Sequence, residues 1–268
     1  MFMMRKSLIL FMYLIWVFSL PLPVISNDKD KKLSEITNNA VAAYGGLATL
    51  VVLRQSGFLR GLVKLYTGND TPQEGDITIR FSRKFKVAED LKRIDLKLAT
   101  APKFTIAFDG TRVWGAEENT PVVLYLRSEA AMKADLIHNY EAFLRSQELG
   151  AKLEYGGEEK RSGIPLYVVD MKHADGSTTR YYISAKTWRI LHLEYEFSVP
   201  SQSQPIRVRE SFYDFRVVQN TLAPFRIVRY EDDHLVQETN FSEVTFGVQV
   251  DKSIFEPSGG SGASKVTL

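Results

Sequence analysis

Residues 211–232 read SFYDFRVVQNTLAPFRIVRYED: aromatic and branched side chains crowd both sides of a polar centre, VQNTLAP. Residues of that kind suit a pleated, half-buried surface, and a short polar break between two such runs reads as strand, turn, strand. The neighbouring segments repeat the pattern. Leu191, Leu193, Tyr195 and Phe197 alternate with His192, Glu194 and Glu196, the period of a strand with one buried face. PLYVVDMKHADGSTTRYYIS lies upstream of that strand and HLVQETNFSEVTF follows the opening stretch. Nearer the N-terminus, Ile77, Ile79 and Phe81 alternate with Thr78, Arg80 and Ser82. Further on, Asp109–Gly110 sits between two strand-like runs as a hairpin turn.

Two regions depart from this period. Leu33, Ile36, Ala40, Val41 and Tyr44 recur at helical spacing and stop at Gly45–Gly46, after which 47–53 reads as a second helical piece. In the middle, Ser128 suits a cap, Glu129 a first turn and Gly150 a stop, with Ala131, Leu136, Tyr140, Phe143 and Leu144 along one face. Short turns between successive strands favour an antiparallel meander, and a sheet this long must curl, split or close. The expected fold is therefore mainly β (α+β): a strongly curved antiparallel sheet, a half-barrel, with helices at 33–44 and 128–149 covering the concave face.

The N-terminus sets the expected compartment. Arg5 and Lys6 precede an apolar run over 8–20, Pro21 and Pro23 interrupt it, and Val24 and Ser26 stand before Asn27. This is the layout of a secretory signal peptide over 1–26, with cleavage between Ser26 and Asn27. Residues 27–257 then form one domain, and the Gly/Ser-rich 258–268 a flexible tail. The expected location is the periplasm, with the mature chain soluble. The chain has no cysteine, hence neither a disulfide nor a thiol for lipidation. Its formal charge of +2 falls to about zero once Arg5 and Lys6 are removed, which argues against a nucleic-acid footprint. At 25% charged and 44% hydrophobic residues, the body is an ordinary globular composition and not a disordered one.

A search for chemistry finds little. His138, His173, His192 and His234 show no metal-ligand spacing and read as surface or strand-edge residues. Glu117–Glu118, Glu158–Glu159 and Asp232–Asp233 read as solvated loop charge. No nucleophile elbow, phosphate loop or dinucleotide fingerprint is present. No catalytic residue, metal or cofactor is expected, and the chain is not expected to be an enzyme. The aromatic residues on strand-like runs suit either sheet packing or the wall of an apolar cavity. Five of them, Phe81, Phe104, Trp114, Tyr182 and Phe212, are the candidate cavity-lining residues. Period two leaves the face of each open by one register.

The order of these pieces resembles the LolA-like family. The resemblance rests on AYGGLATLVVLRQSGFLRG, on FDGTRVW, on GIPLYVVDMKHADGSTTRYYISAKTWRILHLEY, on YDFRVVQNTLAPFRI and on the closing SIFEP. It spans most of the chain from Ala40 to Pro257. The chain departs from the family pattern at Ser184, where many relatives carry Asp, at Asn220–Thr221, in place of Asp-Gly, and in the charged RYEDDHLVQE. The resemblance implies a monomeric periplasmic carrier that holds lipid or lipoprotein acyl chains between sheet and helices. Its partners would be membrane-bound donor or acceptor proteins. It also admits a non-enzymatic envelope sensor or interaction protein of the same fold.

Overall fold

The computed structural model describes residues 28–68, 71–84 and 90–257; the expected signal peptide with its cleavage site and the expected tail lie outside the described residues. Two helices come first, α1 (Asp28–Ala43) and α2 (Leu47–Leu53). Six strands follow: β1 (Ser56–Leu65), β2 (Gln73–Ser82), β3 (Leu91–Leu98), β4 (Phe104–Phe108), β5 (Val113–Glu117) and β6 (Thr120–Val122). Helices α3 (Leu126–Ile137) and α4 (Tyr140–Leu144) then lead to β7 (Lys152–Arg161) and β8 (Ile164–Lys172). The series continues through β9 (Thr178–Ser184), β10 (Ile190–Phe197), β11 (Ile206–Val218), β12 (Thr221–Glu231) and β13 (His234–Phe246). A short 3-10 helix, Lys252–Phe255, ends the described chain.

All thirteen strands form one antiparallel sheet in the order β6-β5-β4-β3-β2-β1-β13-β12-β11-β10-β9-β8-β7. The chain starts at mid-sheet, winds out to one edge, crosses to the other through α3 and α4, and winds back until β13 pairs with β1. The sheet is not closed, since β6 and β7 are its edges.

The sheet is strongly curved, and one helix shows it. Helix α3 touches β4, β5 and β10. Strands β5 and β10 are eight steps apart in the sheet, about 38 Å if flat at about 4.8 Å per step. A helix of 12 residues is only about 18 Å long. The sheet must wrap round α3, so the helices occupy the concave side.

The expected helix over 128–149 is two helices. Asn139 breaks it: its side-chain oxygen accepts from the Ala142 amide at 2.9 Å and caps α4. Helix α1 starts earlier than its apolar spacing implied, with Asp28 and Asp30 in its first turn, where carboxylates complement the helix dipole. Gly156–Gly157 marks a bulge in β7, so the neighbouring Glu158 and Glu159 lie on a strand and not in the expected loop.

The concave side is packed unevenly. Over β7–β11 it is filled. Val169, Tyr181 and Leu193 face one another across β8, β9 and β10, and all three are fully buried against Ile36, Tyr44 and Phe143 from the helices. Over β1–β4 the same arithmetic of register gives a different result. Leu59, Ile79, Ile94 and Ile106 stand in line across four strands, facing the helices, yet each is only half-buried.

Candidate functional site

Those half-buried residues line a cavity of about 450 Å³ between β1–β4, β11–β13 and helices α3 and α4. Three of the five residues picked from the sequence face it: Phe81 on β2, Phe104 on β4 and Phe212 on β11. Trp114 and Tyr182 do not, and the register explains both corrections. Trp114 pairs with Ala107, which alternates with the inward Ile106 and Phe108. It therefore points to the convex face, where its indole N–H donates to the Phe255 carbonyl at 2.7 Å under the C-terminal segment. Tyr182 alternates with the inward Tyr181 and Ile183. Its hydroxyl donates to Glu194 at 2.7 Å, and the Arg161 guanidinium lies 3.8 Å from its ring centroid.

The sequence reading missed the charged part of the wall. On the β11–β12 side, Arg229 bridges Glu210 at 3.1 Å and Glu231 at 3.0 Å and donates to the Tyr195 hydroxyl at 3.0 Å. Burial pushes the Glu210 carboxyl up despite the Arg229 charge beside it. Helix α3 is tied to the sheet by ion pairs on both sides of the cavity, Asp135 with Lys92 of β3 and Arg127 with Glu231 of β12. At the α2–α4 end, Glu141 pairs with Arg54 and, at 2.9 Å, with Arg83, while Arg145 pairs with Asp90 at 2.7 Å. Burial pushes the Glu141 carboxyl up, but Arg54 and Arg83 outweigh it and hold it at about 2. The sequence does carry a trace of this. Glu210 falls between Val208 and Phe212, and Arg229 two residues after Ile227, so each is a charge at a position where the alternation demands an apolar residue.

Each of these carboxylates is held in an ion pair, and among the described residues every buried side-chain nitrogen and oxygen has a hydrogen-bond partner. The described residues hold no cluster of three or more metal-ligating side chains. The histidines need one correction. His138 is buried beneath the end of α3 and not on the surface; its Nδ1 lies 2.7 Å from the Thr179 hydroxyl.

The architecture has counterparts among solved structures. A DUF1329 family protein from Desulfovibrio piger superimposes with a TM-score of 0.56, at 12% identity, over 83% of this chain and 96% of that one. A LolA superfamily protein from Nitrosomonas europaea does so with a TM-score of 0.53, at 12% identity, over the same 83% and 96%. The fold is LolA-like. At this identity the likeness is one of fold alone. No protein-family model matches the sequence, and no curated protein matches it. The LolA-like fold places sheet and helices on either side of the cavity, and the residues that line it are this chain's own.

Proposed function

We propose that the protein is a non-enzymatic carrier that holds an acyl chain of a lipid or lipoprotein in the cavity between the sheet and α3. The carrying observation is the contrast within one sheet: Leu59, Ile79, Ile94 and Ile106 face the helices half-buried, while Val169, Tyr181 and Leu193 in equivalent rows are sealed. An apolar row left half-buried beside a cavity of about 450 Å³ suits a removable apolar ligand. Burying about ten methylenes contributes about 8 kcal/mol at roughly 0.8 kcal/mol each. Immobilising a ligand costs about 4–15 kcal/mol. A single chain therefore binds reversibly, as release to an acceptor requires. Phe81, Phe104 and Phe212 are proposed as ligand-contacting residues.

The carrier would work in the periplasm as one domain over 27–257, with the leader removed between Ser26 and Asn27. N-terminal sequencing of the exported protein checks this; a product beginning at Met1 and held in the membrane refutes it. The test of the carrier reading is uptake of a fluorescent acyl probe, beside native mass spectrometry of protein purified from its own envelope. Expected are saturable probe uptake and a co-purified lipid. Absence of both sinks the carrier. A second reading, an envelope sensor or interaction protein, draws on the run before α3, where Val123 is 97% and Tyr125 84% exposed. That reading is preferred if neither probe nor lipid is bound.

A further inference from the structure

The C-terminal end of α3 is held to the sheet by two histidines that share one hydroxyl. His138 follows the last helical residue, and its amide donates back to the Ala134 carbonyl at 2.8 Å. Its Nδ1 lies 2.7 Å from Thr179 Oγ1 on β9, and Nε2 of His173, in the β8–β9 turn, lies 2.6 Å from the same oxygen. The two rings meet edge to face at 4.8 Å between centroids, and His138 also stacks on Tyr195 of β10 at 4.5 Å and 9°. His138 is 2% exposed and Thr179 fully buried, whereas His173 is half-buried.

A hydroxyl has one hydrogen to give. With both rings neutral, Thr179 donates to one imidazole nitrogen and accepts from the other ring's N–H, so both contacts are made. With one ring protonated they are still made, since the cation donates and the hydroxyl donates onward. With both protonated, the oxygen can still accept both N–H groups through its two lone pairs, but its hydrogen has neither ring left to donate to, and two buried cations repel each other with their rings 4.8 Å apart. We propose that His138, His173 and Thr179 form a proton-operated clasp that frees the end of α3 from β8–β10 when both imidazoles are charged.

The surroundings set the order of events. The groups facing the pair are Asp135 from α3, Asp175 from the β8–β9 turn, Tyr195 from β10 and Tyr181 from β9, whose hydroxyl donates to the Asn139 carbonyl at 2.9 Å. The two carboxylates favour the cations, but burial outweighs them and lowers both histidines. His173, the more exposed ring, takes the first proton. His138, pushed down to about 4 by burial and then by the His173 ring, takes the second. The clasp therefore stays closed near neutrality and opens as pH falls toward that value. The freed segment leads straight to Asp135, Leu136 and Asn139 in the cavity wall, so opening changes access to the cavity whatever occupies it.

The experiment needs no ligand. Amide hydrogen exchange, corrected for the intrinsic effect of pH, is compared at about pH 7 and about pH 4.5. The amides of Ala134, Ile137 and His138 should lose protection by about tenfold or more, while β8–β10 keep theirs. The double variant His138→Asn, His173→Gln replaces both rings with uncharged amides that do not titrate, one of which can turn its oxygen to accept from the Thr179 hydroxyl while the other donates to it, and should abolish the loss. His173→Gln alone serves if the double variant does not fold; without the second cation, α3 should stay protected at the lower pH. Equal loss in the wild type and in the variant tested, an unchanged α3 in the wild type, or parallel loss across the sheet each overturns the clasp.

Discussion

Glu141 is the most consequential single side chain in the floor of the cavity, because it neutralises Arg54 and Arg83 together. Arg54 in turn reaches the Thr221 hydroxyl at 2.9 Å and the Leu222 carbonyl. One carboxylate thus fixes α2, α4 and the start of β12. Glu141→Gln should cost about 3–5 kcal/mol, the usual penalty for leaving buried guanidinium charge unpaired; urea unfolding at neutral pH measures it. The pH dependence has a definite sign. The carboxyl sits at about 2 in the fold against the ordinary 4.5, so the unfolded chain takes the proton first as pH falls. The stabilisation is whole above about 4.5 and drains away towards about 2, and the Gln variant should lack that slope. None of this was legible in the sequence, since Arg54 and Glu141 lie 87 positions apart and a charge carries no period that points to its partner.

At the scale of single elements, alternation was readable and register was not. The inward row Ile77, Ile79, Phe81 was visible because β2 pairs without a bulge. In the sequence Leu191 continues the alternation of Leu193, Tyr195 and Phe197, but the register shifts between Ile190 and His192. Ile190 is buried in the main core, and Leu191 packs against Leu166, Val168 and Tyr182 on the other face. Trp114 and Tyr182 failed for the same reason: period two gives two faces and names neither. Gly57 shows how tightly neighbouring strands fit. It lies opposite Phe81, and a Cβ there would stand 2.4 Å from the Phe81 ring. Gly57→Ala should cost about 1–3 kcal/mol through overpacking, and Phe81→Leu in that background should recover part of it in thermal melts. The hairpin turns have slack in the opposite sense. Ser162, at φ 48 before Gly163 at φ 81, occupies a left-handed position that Asn tolerates better. Ser162→Asn should raise stability by about 0.5 kcal/mol, read as a shift of the denaturation midpoint at constant slope.

The whole molecule is one sheet with two interiors, and the proposed function rests on the difference. Helices α1, α2 and α4, with Ala134 of α3, seal the β7–β11 half; α3 reaches from β10 across the hollow to β4 and β5 and is held by ion pairs at Lys92 and Glu231. A matched pair of substitutions tests whether the hollow is built for occupancy. Val169→Phe adds volume to a fully buried position and should cost about 1–3 kcal/mol. Ile94→Phe adds volume beside the cavity, where the ring has room, and should cost under about 1 kcal/mol. It should nonetheless weaken uptake of an acyl probe by about tenfold, equivalent to about 1.4 kcal/mol, because the ring takes space the chain would fill. Thermal melts and probe titrations on the same two proteins give both numbers. If Ile94→Phe destabilises as much as Val169→Phe, the β1–β4 half is an ordinary core under strain. If it leaves probe uptake unchanged, the acyl chain lies elsewhere. The carrier reading requires the two effects to separate, stability responding at Val169 and binding at Ile94, because only a space kept open for a ligand tolerates filling and loses function by it.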